Sequence, residues 1–299
     1  MKFDLSMVSV LLAAFAPFLV LFFAIFWDRR QQKHTEKPPQ SEKLLRPPGF
    51  SLSLRLEKIS DKFMDLILVA MMFSAAGGGG AFVFAILLGE HAPFSYLIIP
   101  FLIAGIFIGI CLWVTLRAFN LFREGRNIRL GISGEQAVAE SLNEAADCGF
   151  RAFHDLPAEE TWNIDHVAVG SRGVFLIETK ACRRRGSKNG QAAHEIIFDG
   201  EFLQFPFFRT NKPIEQAKRN AKWLSNYLRN KTGEPVEVFP LVVLPGWFIK
   251  NTEKGNFGVN VMNANYLPGF LRRQAENIEP AQVRRIITAL DEKCRTVEF

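Results

Sequence analysis

The chain has 299 residues, 48% hydrophobic and 22% charged, with a formal net charge of +6. A chain this apolar is not mainly disordered, because so much hydrophobic surface demands either a core or lipid. The excess lies before residue 117; beyond it 26 Lys and Arg stand against 22 Asp and Glu, a net of +4, so the basicity is mild and shared.

Residues 7–27 carry no charge over 21 positions, which matches the roughly 20 helical residues that cross about 30 Å of hydrocarbon. This run is longer than the apolar stretch of a signal peptide, and no small-x-small cleavage site follows it, so residues 1–28 read as a retained first transmembrane helix. A basic linker occupies 29–62. Its first half holds Lys37-Pro38-Pro39 and Arg46-Pro47-Pro48-Gly49 and should be extended and irregular. Its second half, 52–62, sets Leu52, Leu54, Leu56 and Ile59 among Arg55, Lys58 and Lys62. That pattern suits either a short amphipathic helix on an anionic leaflet or a solvated lead-in to the next span.

Residues 66–88 and 94–116 are two further uncharged runs of 23 positions each. Only Gly89-Glu90-His91-Ala92-Pro93 separates them, which predicts a transmembrane hairpin over 63–119. Nine Lys or Arg in 28–62, and Arg117, Arg123, Arg126 and Arg129 after the third run, contrast with none in the 89–93 turn. The positive-inside rule then places the N-terminus outside and everything after residue 117 in the cytoplasm, in an integral, three-span protein of a bacterial inner membrane. Ala76/Gly80 and Gly77/Ala81 have small-xxx-small spacing, a face for helix packing and for a homo-oligomer in lipid. Only Asp65 comes near a span, at its edge, so the membrane part reads as an anchor rather than a transporter.

Past residue 130 the patterning becomes that of an ordinary soluble domain, over 130–250, with a helical extension at 251–299. Ser133 and Gln136 have capping-box spacing, and Val138, Leu142 and Ala145 recur at helical intervals, predicting a helix over 134–146 with Glu135 in its first turn. Strands are expected over 149–155, 164–169 and 174–179. Leu156–Glu160 is expected as a loop, and Gly170-Ser171-Arg172-Gly173 as a hairpin turn. Asp199-Gly200 predicts a second hairpin between 194–198 and 201–205. Pro213 opens a helix with Ile214, Ala217, Ala221, Leu224 and Leu228 on one face, ending near Thr232-Gly233. Val236–Leu244 reads as a buried strand interrupted by Pro240, and a last helix starts at Pro280. The order indicates an α/β fold, a mixed sheet flanked by helices. Cys111, Cys148, Cys182 and Cys294 form no C-x-x-C pair and suit a reducing compartment.

Alternation along Val174–Lys180 projects Glu178 and Lys180 from one strand face. Asp165, on the preceding strand, approaches the same edge across the hairpin. It is flanked by Ile164, Val167 and Val169, where a bare charge would be costly without a partner or ion. Two converging carboxylates can hold Mg²⁺ through oxygen, and a metal-bound water beside Lys180 would be a nucleophile. Arg183, Arg184, Arg185 and Lys188 follow directly and suit phosphate contacts or a solvated face. His166 should point away from Asp165 as a core histidine. Phe202, Phe205, Phe207 and Phe208 read as core or membrane-facing rather than base-stacking.

Four pieces occur in order: Gly134-Glu135, Asn163-Ile164-Asp165-His166, Gly173-Val174-Phe175-Leu176-Ile177-Glu178-Thr179-Lys180, and Asn211-x-Pro213-Ile214-Glu215-Gln216-Ala217. Together they resemble the NERD (nuclease-related) domain over about 130–245, which is similar to the PD-(D/E)XK nucleases. Asn163-Ile164-Asp165 departs from the Pro-Asp of that superfamily name. The resemblance implies a PD-(D/E)XK-like fold with Asp165 and Glu178 binding Mg²⁺, or Mn²⁺ in its place. It further implies Glu135 supporting the metal, Lys180 orienting the water and Gln216 beside the site. The expected activity is a membrane-anchored, cytoplasm-facing, metal-dependent nuclease with DNA as substrate. The alternatives are a catalytically silent module binding nucleic acid or protein, and a membrane scaffold or stress sensor.

Overall fold

The computed structural model describes residues 27, 43–88, 98–159, 162–184, 192–251, 255 and 257–297. The first expected span, the linker up to residue 42, the turn at 89–93, Arg185 and Lys188 lie outside the described residues, as do side-chain contacts at Ala76–Ala81. Two compact units divide the chain; one holds Glu57–Arg126, the other Gln40–Leu56 with Asn127–Phe299.

Two long helices carry the expected second and third spans: α1, Phe50–Leu88, and α2, Ile98–Glu144. Among the described residues one helical segment, Gly105–Cys148, is long and apolar enough to cross a membrane. Leu102, Ile106, Ile108, Leu112, Trp113 and Leu116 are exposed along α2. Residues 52–62, which suited either a short separate helix or a lead-in to the next span, form the start of α1. The helix expected to start near 134 is the end of α2, so Ser133 caps nothing and Glu135 sits in a helix interior. A capping box acts only where a helix begins, and this one already runs through from Ile98.

The second unit is built on a five-stranded sheet. In chain order its early strands are β1 (Leu44–Leu45), β2 (Arg151–Glu159), β3 (Trp162–Gly170), β4 (Gly173–Thr179), β5 (Glu195–Phe198), β6 (Leu203–Gln204) and β7 (Arg209–Thr210). Then come α3 (Lys212–Thr232), β8 (Val238–Val243), β9 (Phe248–Asn251), β10 (Asn260–Met262), α4 (Leu267–Arg272), α5 (Pro280–Cys294) and β11 (Arg295–Val297). The central order is β10-β8-β4-β3-β2, a second sheet runs β7-β6-β5-β9, and β1 pairs with β11. Strands β2, β3 and β4 are antiparallel, whereas β4, β8 and β10 run parallel, giving the expected mixed sheet. Residues 251–299, expected as a helical extension, supply the edge strand β10 as well as α4 and α5.

β4 is buried on both faces. Val174 and Leu176 enter a core with Ile214, Ala217, Leu224 and Leu228 of α3 and Ile286 and Leu290 of α5. Phe175 and Ile177 enter another with Val138 and Leu142 of α2 and Leu267 and Leu271 of α4. Each such side chain contributes about 1.5–3 kcal/mol by leaving water, and Leu176→Ala should cost about 2–5 kcal/mol with its cavity. α3 follows its sequence signals, with Pro213 in its first turn and Gly233 as left-handed C-cap at φ 77°.

The prolines mark where strand expectations erred. Leu156–Glu159 is strand rather than loop, since β2 is an edge strand and tolerates Pro157. Likewise β8 runs through Pro240 without interruption. Pro240 pairs with Leu176, and β10 begins its pairing only at Leu241, so one side of β8 has no partner strand there. In the β5–β6 hairpin, Phe198 pairs with Leu203, which leaves four residues in the turn instead of two. Asp199 Oδ1 closes it by accepting from the amides of Glu201 and Phe202, at 3.1 and 2.7 Å.

Candidate active site

Register across the first three strands of the central sheet aligns carboxylates. His154 pairs with His166 and Leu156 with Ile164, which sets Asp155 beside Asp165. His166 pairs with Ile177, and continuing that ladder by one step sets Asp165 across from Glu178. The amide of Thr179 donates to Asp165 Oδ2 at 2.7 Å and fixes that carboxylate at the end of β4. Glu135 arrives from α2. Its seat depends on Gly134, where a Cβ would lie 2.6 Å from the Ala181 Cβ, so only glycine lets the helix come this close to the chain leaving β4.

The site is electrostatically crowded. Glu135 is 7% exposed and Glu178 6%, while Asp165 is half-buried. Burial, then the charges of Asp165 and Asp155, push the Glu135 carboxyl up to about 8, against the Gly49 amide. Burial raises Asp165 to about 7; the Thr179 amide opposes, Asp155 adds to the rise, and Lys180 opposes. Glu178 is raised well above the ordinary range by burial and by Asp165, with Lys180 pulling it down and Glu135 raising it further. Glu178 Oε2 and Thr179 Oγ1 are buried and meet no hydrogen-bond partner among the described residues. A buried acceptor left bare costs about 1–3 kcal/mol, so this corner is built with a polar deficit that a cation would fill.

Lys180 is exposed, one residue past β4, with its amide donating to Val243 O at 2.9 Å. Its charge reaches both Asp165 and Glu178. Gln216 is half-buried on α3, one turn before Arg219, whose charge also reaches Glu178. The five residues singled out from the sequence therefore fall into two groups. Glu135, Asp165, Glu178 and Lys180 form one electrostatic cluster, and Gln216 stands apart on α3, related to it through Arg219 one turn on. Among the described residues no three His, Cys, Asp or Glu already stand close enough together to hold a metal. Arg184 donates to Gly246 O, and Trp247 Nε1 donates to Cys182 O at 3.3 Å, so the stretch after β4 is tied to the chain after β8. His166 is fully buried, as expected, with Nδ1 2.8 Å from His154 Nδ1. Phe205 is buried and stacks on the exposed Phe208, with ring centroids 4.3 Å apart.

Sequence reading missed a further layer. Asp155 is 1% exposed and adopts a left-handed backbone at φ 48°. Its Oδ2 accepts from Arg46 Nη1 at 3.0 Å and from Ser51 Oγ at 2.7 Å, and its Oδ1 accepts from Asn163 Nδ2. Burial still pushes the Asp155 carboxyl up, against the pull of Ser51 and Arg46. Gly49, three residues past Arg46, donates its amide to Glu135 Oε2 at 2.9 Å. Asp155 was legible only as the strand mate of Asp165, and nothing local in Arg46-Pro47-Pro48-Gly49 points to a site 86 to 109 residues away.

Residues 130–245 match the family model of the nuclease-related domain, NERD. No curated protein and no solved structure matches the chain. The match covers α2 from Leu130 through β8, and with it Glu135, Asp165, Glu178, Lys180 and Gln216.

Proposed function

We propose that this nuclease-related domain is a metal-dependent nuclease that hydrolyses phosphodiester bonds of DNA from the cytoplasmic side of a membrane. The observation that carries the reading is the β3–β4 register that sets Asp165 across from Glu178, with the Thr179 amide on Asp165 and with Glu135 and Lys180 within electrostatic reach of the pair. A structural ion-pair site would balance carboxylates with cations, whereas here three carboxyls face one lysine and burial keeps protons on them that a bound cation would displace.

The donor set has the chemistry of a Mg²⁺ or Mn²⁺ site: it is all oxygen, it would carry excess negative charge once its protons leave, and Glu178 Oε2 is buried without a partner among the described residues. Asp165 and Glu178 would hold the ion, with Glu135 supporting it. Bound there, the metal would supply Lewis-acid polarisation of a phosphoryl oxygen and lower the pKa of a coordinated water. The chain's own residues do the rest. The Thr179 amide keeps Asp165 aimed along the strand end, and Gly134 lets Glu135 approach. Lys180 Nζ, exposed at the mouth, donates to a phosphate oxygen and stabilises negative charge that grows during in-line attack. Gln216 borders the substrate side. Arg183 and Arg184, with Arg185 and Lys188 beyond, position the backbone without reading sequence.

The membrane placement is part of the same reading: three spans at 7–27, 66–88 and 94–116, the N-terminus outside, a bacterial inner membrane, and self-association through Ala76/Gly80 and Gly77/Ala81. The charge contrast between 28–62 and 89–93 supports it, as does the exposed apolar face of α2.

The test uses the full chain in detergent with linear, circular and single-stranded DNA and with RNA, each with and without Mg²⁺ or Mn²⁺. Glu178→Ala and Lys180→Ala are the controls. The reading expects cleavage that chelation and either substitution abolish. Binding without cleavage in every condition would instead identify a silent nucleic-acid-binding module, and cleavage that survives chelation contradicts the mechanism.

A further inference from the structure

Resting on the reading of Glu135 as a site carboxylate, we propose that Asp155 is a positioning residue that clamps the chain entering α1, with the helix's first turn, onto the site, as a latch that sets the Glu135 carboxylate. The latch, residues 44–53, lies outside the stretch that matches the nuclease-related domain, yet it belongs to the same compact unit.

Three attachments hold it. At one end Leu44 and Leu45 pair with Val297 and Arg295, and the Arg46 amide donates to Cys294 O at 3.2 Å. In the middle the Arg46 guanidinium forks, with Nε donating to Thr296 Oγ1 at 2.6 Å and Nη1 to Asp155 Oδ2 at 3.0 Å. At the other end Ser51 Oγ, in the first turn of α1, donates to the same Asp155 oxygen. Asp155 thus grips the latch on both sides of Gly49.

Between those grips the chain turns so that Gly49 presents its amide to Glu135. The Phe50 amide donates to Pro47 O at 3.2 Å, closing the turn, and Gly49 takes φ 76°, which a side chain disfavours. A Cβ there would also sit 3.4 Å from Ile132 on α2. Leu52 completes the fit: its Cδ1 is 2.9 Å from where a Gly131 Cβ would be. Two glycines, one on each segment, let the latch lie against α2 at the turn that carries Glu135. With the latch released, Glu135 would lose its hydrogen-bond donor while keeping its repulsive neighbours Asp165 and Asp155, and its carboxylate would no longer be held toward the shared site. Because the latch runs without a break into α1, the helix of the expected second span, the site is completed by chain that leads to the membrane.

The test compares the full chain in detergent with Asp155→Asn, Ser51→Ala and the double variant. Deuterium exchange of peptides over 43–56 and 173–179 is read together with Mn²⁺ affinity. Expected are faster exchange in 43–56, unchanged protection of 173–179, and Mn²⁺ binding weakened about tenfold, as for other residues that orient a metal ligand. The double variant should bind no more weakly than Asp155→Asn alone, since both substitutions open one latch. The proposal is overturned if 43–56 opens while Mn²⁺ affinity holds, or if 43–56 stays closed in both single variants. A wild type that binds no Mn²⁺ contradicts the metal-dependent reading instead. The latch is then decided by Glu135→Ala, in which faster exchange around Gly49 supports it and no change overturns it.

Discussion

Thr179 donates its amide to Asp165 Oδ2 at 2.7 Å, so the backbone next to Glu178 holds the carboxylate that faces Glu178 from the neighbouring strand. A strand end that orients one acid while presenting another is suited to gathering charge, and gathered charge has measurable consequences for stability.

Glu178 is the first place to look. It is buried, raised by its surroundings, and has one oxygen without a partner among the described residues. Glu178→Gln removes a carboxyl that must take up a proton to stay buried and should raise the thermal midpoint of the chelated protein while abolishing cleavage, the trade-off expected where a site is strained for function. A midpoint lowered by the substitution would mean that Glu178 is there for structure.

The pH dependence has two opposing contributions, which overlap below about pH 6.5. His154 is lowered to about 4 by burial, and His166 is lowered as well, so the folded chain holds fewer protons on them than the unfolded chain, and their contribution to stability falls as the pH drops below about 6.5. Glu135 and Asp165, raised to about 8 and about 7, do the reverse. Above their ordinary values the folded state keeps protons that the unfolded chain has released, so their contribution is lost as the pH rises toward 8. Above pH 6.5 only the carboxylates still act. The chelated protein should therefore melt at lower temperature at pH 8 than at pH 6.5, and Glu135→Gln should flatten that slope. A wild-type midpoint that is level across this window contradicts the crowding of the three acids.

Gly134 offers a geometric check. A methyl group there meets Ala181, and overpacking of this kind costs about 1–3 kcal/mol. Gly134→Ala should lower stability by that order and reduce cleavage by more than the loss of folded protein explains, since Glu135 is carried away with the helix. Equal losses in the two would show that Gly134 serves packing alone.

How far the sequence revealed this site depends on the range over which each signal acts. Asp165, Glu178 and Lys180 follow from alternation along two strands and a hairpin, which are local patterns. Glu135 enters through the resemblance alone, and the local signal around it misleads about its setting. Ser133 and Gln136 spell a helix start, whereas the helix had begun 35 residues earlier at Ile98. Pro157 and Pro240 suggested breaks because a sequence does not say which strand lies at an edge or where a neighbour stops. Asp155 needed the β2–β3 register to be seen. Arg46, Gly49 and Ser51 needed the tertiary fold itself, since their partners lie 86 to 109 residues away.

The basic stretch after β4 makes a separate prediction. Replacing Arg183, Arg184 and Arg185 by alanine should weaken DNA binding evenly across sequences. It should also flatten the dependence of log affinity on log salt by about one for each arginine that meets a phosphate. An unchanged salt slope, measured by fluorescence anisotropy with Glu178→Gln in the background to prevent cleavage, would make this run a solvated face.

Orientation is decided by reporter fusions at residues 91 and 299. The account predicts that 91 reports from outside and 299 from the cytoplasm, and a cytoplasmic 91 overturns the three-span arrangement.

The central claim is that these crowded acids hold a metal that cuts DNA. The most direct measurement is cleavage of linear duplex DNA by the full chain as Mg²⁺ is titrated from zero, for wild type and for Glu178→Gln at matched folded fraction. The account predicts metal-dependent product from wild type and none from the variant, which still binds DNA. Equal product from both, or product from wild type in chelator, would contradict it.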